Sequence, residues 1–341
     1  MTGLEKCMSV LEGKKNKEIP VVPQAFLFAL GMSGYQMKDV VFSPEKMAKA
    51  HQICQQKFGY DGCIIDFDDA TIAEACGAKV VFRDDEPAIV DESDIVLKNL
   101  DMIDDLPLPD PYKSGRLPIW LETTSRLVDL IGNEVFIMGR ADQGPFGLAC
   151  QLRGPQQFMI DLLIEEPERI HKVLEYCRKA TTIFAKAMKD TGAHCTSIGD
   201  GYASPDLISP DTYNEFVLEH HQKLTKEVQD HGIPLSIHVC GDTTSIIEDL
   251  GKTGASILEM DWKLDFKNAF NLIPSNCTLM GNINPSDLVF AIPEKIYSDT
   301  LQLLKNTAGQ NLILSSGCAL GRNTKPENVE AMIKAARNFP G

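Results

Sequence analysis

Pro234-Leu-Ser-Ile-His-Val-Cys-Gly241 is a short apolar run that halts on a histidine, a cysteine and a glycine; helix-forming residues follow from near Asp242 to Gly251, then a second run, Ser256-Ile-Leu-Glu-Met-Asp-Trp262. Strand, helix, strand in that order is the unit of a parallel sheet. The same alternation extends in both directions. Upstream lie Gly62-Cys-Ile-Ile-Asp-Phe-Asp68, Val135-Phe-Ile-Met-Gly-Arg-Ala141 and His194-Cys-Thr-Ser-Ile-Gly-Asp200; downstream lie Cys277-Thr-Leu-Met-Gly-Asn-Ile283 and Asn311-Leu-Ile-Leu-Ser-Ser-Gly317. With Ile19-Pro-Val-Val-Pro-Gln-Ala-Phe26 as the first, the count is eight strands. Continuous apolar strands fit a sheet covered on its outer face. Eight of them with helical crossovers predict an α/β fold, a (β/α)8 TIM barrel with an N-terminal helical extension and an inserted hairpin and loop after the second strand. An open doubly wound sheet is the competing architecture, but no Gly-x-Gly-x-x-Gly follows the first strand and no P-loop occurs.

The intervening segments carry their own signals. A surface helix is expected to end near Gly13, and Ser43-Pro44 opens a helix running to Gly59, with the serine as N-cap and proline at the first helical position. Ala78–Arg83 with Ala88–Val90 reads as a hairpin, and the Asp- and Pro-rich residues 101–118 as a loop. Residues 1–341 are expected to form a single domain.

In such a barrel the catalytic groups sit at the C-terminal ends of the strands. Those ends read Asp66 and Asp68, Arg140 and Asp142, Asp200, His238 and Cys240, Glu259 and Asp261, Asn282 and Asn284, and Cys318. His238 and Cys240, two apart on one strand, present their side chains to the same face, and Cys318 ends the last strand at the same rim. A His/Cys/Cys set with a fourth position open is the donor arrangement of a catalytic zinc. The competing reading is a buried histidine beside buried free cysteines. Asp200 and Glu259 are the carboxylates expected to serve catalysis or to neighbour the metal. Asp200 within Gly199-Asp-Gly201 also has the form of a plain turn, and Asp68 that of a helix cap.

Composition narrows the function classes. At 43% hydrophobic and 24% charged residues, the chain of 341 residues has the makeup of an ordinary soluble globular protein. A formal charge of −15 opposes binding to nucleic acid, which needs clustered Lys and Arg. Ten cysteines without short paired spacings and no apolar leader point to a reducing, cytoplasmic setting, and Ile19–Met32 is too short and too broken to span a membrane.

His238-Val-Cys-Gly-Asp-Thr-Thr244 with Ser315-Ser-Gly-Cys-Ala-Leu-Gly321 resembles the His-x-Cys…Cys zinc motif of methylcobalamin:coenzyme M methyltransferases, a branch of the uroporphyrinogen decarboxylase superfamily. Further resemblance runs through Gly144-Pro-Phe-Gly-Leu-Ala149, Leu152-Arg-Gly154, Ser204–Pro210 and Asn282-Ile-Asn284, covering most of the chain from about residue 40. The resemblance implies a (β/α)8 barrel, one zinc held at His238, Cys240 and Cys318, and methyl transfer to or from a corrinoid carried on a separate protein. The chain also departs from its look-alikes. Uroporphyrinogen decarboxylases carry an arginine-rich N-terminal segment for the substrate's carboxylates, whereas Pro23–Gly34 contains no arginine. No Asp-x-His-x-x-Gly corrinoid-binding pattern occurs, so a corrinoid has to come from a partner protein.

The expected activity is therefore zinc-dependent methyl transfer between that corrinoid and a thiol or other small methyl donor or acceptor. A free thiol is mostly protonated at neutral pH, and coordination makes it a thiolate. Two readings from other classes compete: a metal-free decarboxylase or lyase, and a noncatalytic barrel in which zinc is only a brace.

Overall fold

The computed structural model describes residues 1–14 and 17–340. The strands, in chain order, are β1 (Gly62–Ile65), β2 (Val80–Val81), β3 (Ile89–Val90), β4 (Phe136–Gln143), β5 (Cys195–Gly199), β6 (Leu235–Val239), β7 (Ile257–Met260), β8 (Thr278–Ile283) and β9 (Leu312–Ser316). β2 and β3 pair antiparallel as the expected hairpin. The other seven form one parallel sheet in the order β1-β4-β5-β6-β7-β8-β9. Every residue of those seven strands is buried, as a sheet with both faces covered requires.

The sheet closes through the segment expected to be the first strand, which is reduced to a single parallel bridge between Val21 and Leu314. The cause is the pair of prolines. Pro20 and Pro23 have no N–H to give a ladder, so only Val22 N–H donates to the Leu314 carbonyl, while Leu314 N–H donates back to Pro20 and Asp61 N–H to Val21. The rest of that apolar stretch is helical: Phe26–Ser33 forms a helix ended by Gly34 at φ 79°. With this seam the molecule is a (β/α)8 barrel.

Other departures from expectation are local. The loop of 101–118 contains a 3-10 turn at Leu100–Asp105 and leads into a helix, Leu117–Ile131, at residues to which the sequence reading assigned no element. The helix beginning at Pro210 breaks at Val217, and the one expected from Asp242 begins at Ile247. Ser43 caps its helix as expected, accepting from Lys46 N–H.

Strand periodicity builds the barrel interior in two storeys. Ile64, Met138, Ile257, Met280 and Ile313 belong to a small apolar cluster that also takes in Cys7 and Val10, so the N-terminal helix Gly3–Leu11 seals the lower end. Two residues further along the same strands, and therefore on the same faces, stand Asp66, Arg140, Glu259, Asn282 and Ser315. The interior thus changes from apolar to charged at the level where the strands end. A larger apolar cluster fills the space between barrel and helices. Among the described residues no helix is long and apolar enough to cross a membrane.

Candidate metal centre

The charged storey is covered by a sulfur–sulfur–nitrogen triangle. His238 points inward from β6, Cys240 lies just beyond the strand's end, and Cys318 follows β9 after Gly317. His238 Nε2 is 3.1 Å from Cys240 Sγ, Cys240 Sγ is 3.7 Å from Cys318 Sγ, and Cys318 Sγ is 3.7 Å from His238 Nε2. His238 is buried, whereas both cysteines are partly exposed. Tetrahedral zinc at about 2.3 Å from sulfur and about 2.0–2.1 Å from nitrogen would space two sulfurs by about 3.8 Å and sulfur from nitrogen by about 3.6 Å. The three side chains make a triangle of that size, slightly contracted on the nitrogen–Cys240 edge. His238 is oriented from behind: its Nδ1 donates to the Glu259 carbonyl at 2.9 Å, which turns the Nε2 lone pair toward the sulfurs. The donor set and its spacing fit zinc.

The three donors also set one another's protonation. The hydrogen bond from Cys240 holds the Cys318 thiol well below its usual range, against the opposing effect of burial and with help from His238. The same contact, together with burial, pushes Cys240 up. Burial works against charge on His238, but its contact with Cys318 outweighs that and raises it.

The triangle opens into a cavity of about 250 Å3 whose walls include Gln24, Phe26, Leu27, Asp66 and Arg140. Arg140 is wedged between two carboxylates. Its Nε lies 3.3 Å from Asp66 Oδ2 and its Nη1 3.6 Å from Glu259 Oε2, and Nη1 also donates to Ser197 Oγ at 3.3 Å. Burial disfavours the Arg140 charge, yet Asp66 and Glu259 hold it above its ordinary range. Burial in turn pushes Asp66 well above the usual carboxylate range in spite of Arg140. A second cavity of about 630 Å3 lies alongside, under the β2–β3 hairpin, and shares Asp69 and Pro87 with the first.

The two carboxylates expected as catalytic are placed differently. Glu259 is wholly buried beneath the triangle, where its Oε1 accepts from Ser236 Oγ at 2.6 Å and its main-chain carbonyl orients His238. Asp200 is also wholly buried, and neither residue lines the cavity. Phe146 N–H and Gly147 N–H donate to Asp200 at 3.1 and 2.7 Å, and His221 Nε2 donates to it at 3.0 Å. The helix Pro145–Arg153 has no side-chain cap of its own, so Asp200 supplies one from β5. Glycine is required at 144 and 147, because a Cβ at either would run into the Asp200 carboxylate or the Gln143 amide. Asp200 thus stands at the strand end where it was expected, with its carboxylate bonded to the scaffold.

Asp68 is not the helix cap expected of it: the helix Thr71–Ala75 starts after Ala70 with no side-chain cap, and Asp68 accepts from Ala70 N–H at 3.1 Å and Thr71 Oγ1 at 3.2 Å in the turn before it. It is also held by Arg116, whose Nη1 and Nη2 lie at 2.6 and 3.1 Å and whose Nε reaches Glu74 at 2.6 Å. Sequence reasoning missed Arg116, which sits in a Pro- and Asp-rich stretch far along the chain from its partners. It also missed Gln24, since a glutamine after proline carries no local sign of lining a site.

The triangle at the C-terminal rim of this (β/α)8 barrel is a donor set that could hold a metal ion. The uroporphyrinogen decarboxylase (URO-D) family model matches residues 2–339, and the chain is a member of that family. Among curated relatives, a methylcobamide:CoM methyltransferase, MtbA, of Methanosarcina mazei is 27% identical over 298 residues, covering 86% of this chain and 85% of the relative. A methylcobamide:CoM methyltransferase, MtaA, of Methanosarcina barkeri is 27% identical over 342 residues, covering 98% and 97%. A solved methyltransferase structure from Methanosarcina mazei superposes over 100% of both chains with a TM-score of 0.90 at 25% identity.

Proposed function

We propose that the protein is a zinc-dependent methyltransferase that moves a methyl group between a corrinoid carried on a partner protein and a small thiol, or another small methyl donor or acceptor. The observation that carries this reading is the triangle of His238, Cys240 and Cys318, open on one side to a cavity. Full-length similarity to methylcobamide:CoM methyltransferases supports the corrinoid part.

Zinc bound there would supply a site at which a substrate thiol is held as its thiolate. The chain's own residues do the rest. Cys240 and Cys318 bring two thiolates and His238 a neutral imidazole, so the ligand set balances the charge of the metal. The Glu259 carbonyl fixes the imidazole by accepting from Nδ1. Phe26, Leu27 and Leu320 line the cavity with apolar surface and keep water from the nucleophile. In the thiol direction the sulfur–carbon bond forms as the carbon–cobalt bond breaks, and the electron pair of the broken bond stays with cobalt.

Porphyrinogen decarboxylation is disfavoured on charge. The arginine-free segment from Pro23 contributes Gln24, Phe26 and Leu27 to the cavity, so it offers no cation to a substrate rich in carboxylates. The test is elemental analysis of the purified protein, then mixing with free methylcobalamin and a panel of thiols while following cobalamin absorbance. One zinc per chain and thiol-dependent demethylation are expected. A metal-free protein, or zinc with no demethylation by any thiol, would remove the reading.

A further inference from the structure

A buried amide that lines the cavity at the triangle is left uncommitted by the fold. Gln24 is 1% exposed, lines the cavity, and its Nε2 has no hydrogen-bond partner among the described residues. A buried amide without a partner costs about 1–3 kcal/mol, so it is a feature to be explained. The main chain of Gln24 does the structural work at this position: its N–H donates to Ser316 Oγ at 3.2 Å and its carbonyl accepts from Leu320 N–H at 2.9 Å. The side chain contributes to neither bond.

The charged groups around it restrict what the amide can meet. The walls of the two adjoining cavities carry the carboxylates of Asp66, Asp68, Asp69, Asp91 and Glu92, against the guanidiniums of Arg83 and Arg140. Neither arginine is free, since Arg83 pairs with Glu86 and Arg140 stands between Asp66 and Glu259. An anionic substrate would have to compete with Asp66 and Glu259 for Arg140 and would meet Asp69 and Glu92, which have no paired cation among the described residues, whereas Asp68 and Asp91 are held by Arg116 and Lys79. A neutral molecule bearing a hydroxyl or similar group meets no such opposition.

Resting on the methyltransferase reading, we propose that Gln24 contacts the small substrate directly and that this substrate is an uncharged molecule with a hydrogen-bonding group, not an anionic thiol. The experiment measures binding by calorimetry to the zinc-loaded full chain with three thiols of similar length: 2-mercaptoethanol, 2-mercaptoethanesulfonate and ethanethiol. The neutral hydroxyl thiol is expected to bind about 10-fold tighter than ethanethiol, the worth of one buried hydrogen bond, and tighter than the sulfonate. In Gln24→Met, which keeps the length and both main-chain bonds, the advantage over ethanethiol should fall to within about two-fold, with the unfolding midpoint of the ligand-free protein unchanged or raised. Tighter binding of the sulfonate by the parent protein, or an undiminished hydroxyl preference in Gln24→Met, overturns the proposal and leaves the methyltransferase reading standing. If no thiol binds a zinc-loaded protein, both fall together.

Discussion

Asp200→Asn separates a scaffold carboxylate from a catalytic one. In the parent, three N–H donors, from Phe146, Gly147 and His221, converge on a wholly buried carboxylate at 3.1, 2.7 and 3.0 Å. Hydrogen bonds to a charged acceptor contribute about 1.5–3 kcal/mol each, and a donor stranded in the interior costs about 1–3 kcal/mol. Asparagine keeps one acceptor oxygen but turns an NH2 toward a donor that still needs an acceptor. One or two of the three bonds are lost, which sets the expected destabilisation at about 2–4 kcal/mol, a large fraction of the total of about 5–15 kcal/mol typical of a domain. Asp200→Ala strands all three donors and should cost more. The assay is urea unfolding at pH 7, with zinc content and methylcobalamin demethylation measured on the same preparations below the transition. Asp200→Asn should hold its zinc and keep turnover within a few-fold while its midpoint drops. A variant of parental stability whose turnover falls 100-fold or more would refute the scaffold reading and place the carboxylate at the substrate.

Three further outcomes follow from the geometry. Cys240→Ala removes a partly exposed rim ligand and should lose both zinc and methyl transfer with less than about 1 kcal/mol change in stability, measured by metal analysis and urea unfolding; full activity with stoichiometric zinc would exclude Cys240 as a ligand. His51 is buried against Phe67 with neither ring nitrogen bonded, and burial lowers its pKa to about 3. The unfolded chain, with histidine near 6.5, takes up that proton first, so the contribution of neutral His51 is complete above about pH 6.5 and is lost as pH falls toward 3, at about 1.4 kcal/mol per unit. Between pH 7 and pH 5 the parent should therefore lose about 2 kcal/mol more than His51→Phe, and equal losses would contradict this. Arg116→Met leaves Asp68 and Glu74 without their shared partner in a buried setting and should cost about 3–5 kcal/mol; a cost below 1 kcal/mol would show that the acids find other partners.

What the sequence disclosed depended on how local each signal was. The strands from Gly62 onward were legible because a strand buried on both faces is an unbroken apolar run, and the helix start at Ser43 because capping is settled within a few residues. The helix Phe26–Ser33 was not, since it is apolar nearly all round and lacks the periodic polar face that separates a helix from a buried strand. The members of the triangle were legible as donor types at strand ends, two of them held to one face by period-2 alternation. Asp200 and Glu259 were placed at the correct level of the barrel, but where their side chains bond depends on partners 21–54 residues away, which no spacing encodes. Arg116 and Gln24 have roles fixed wholly by tertiary neighbours.

The seam at Val21 divides the labour of the rim. His238 is anchored in a strand paired along its length on both sides, so the donor triangle rests on a stiff part of the wall. Gln24 rides instead on a proline-punctuated segment joined to β9 by a few main-chain bonds. Exchanges in that segment disturb little of the ladder, so the lining it gives the cavity can change while the donor triangle stays in place. One wall of the barrel can thus be recut without rebuilding the other.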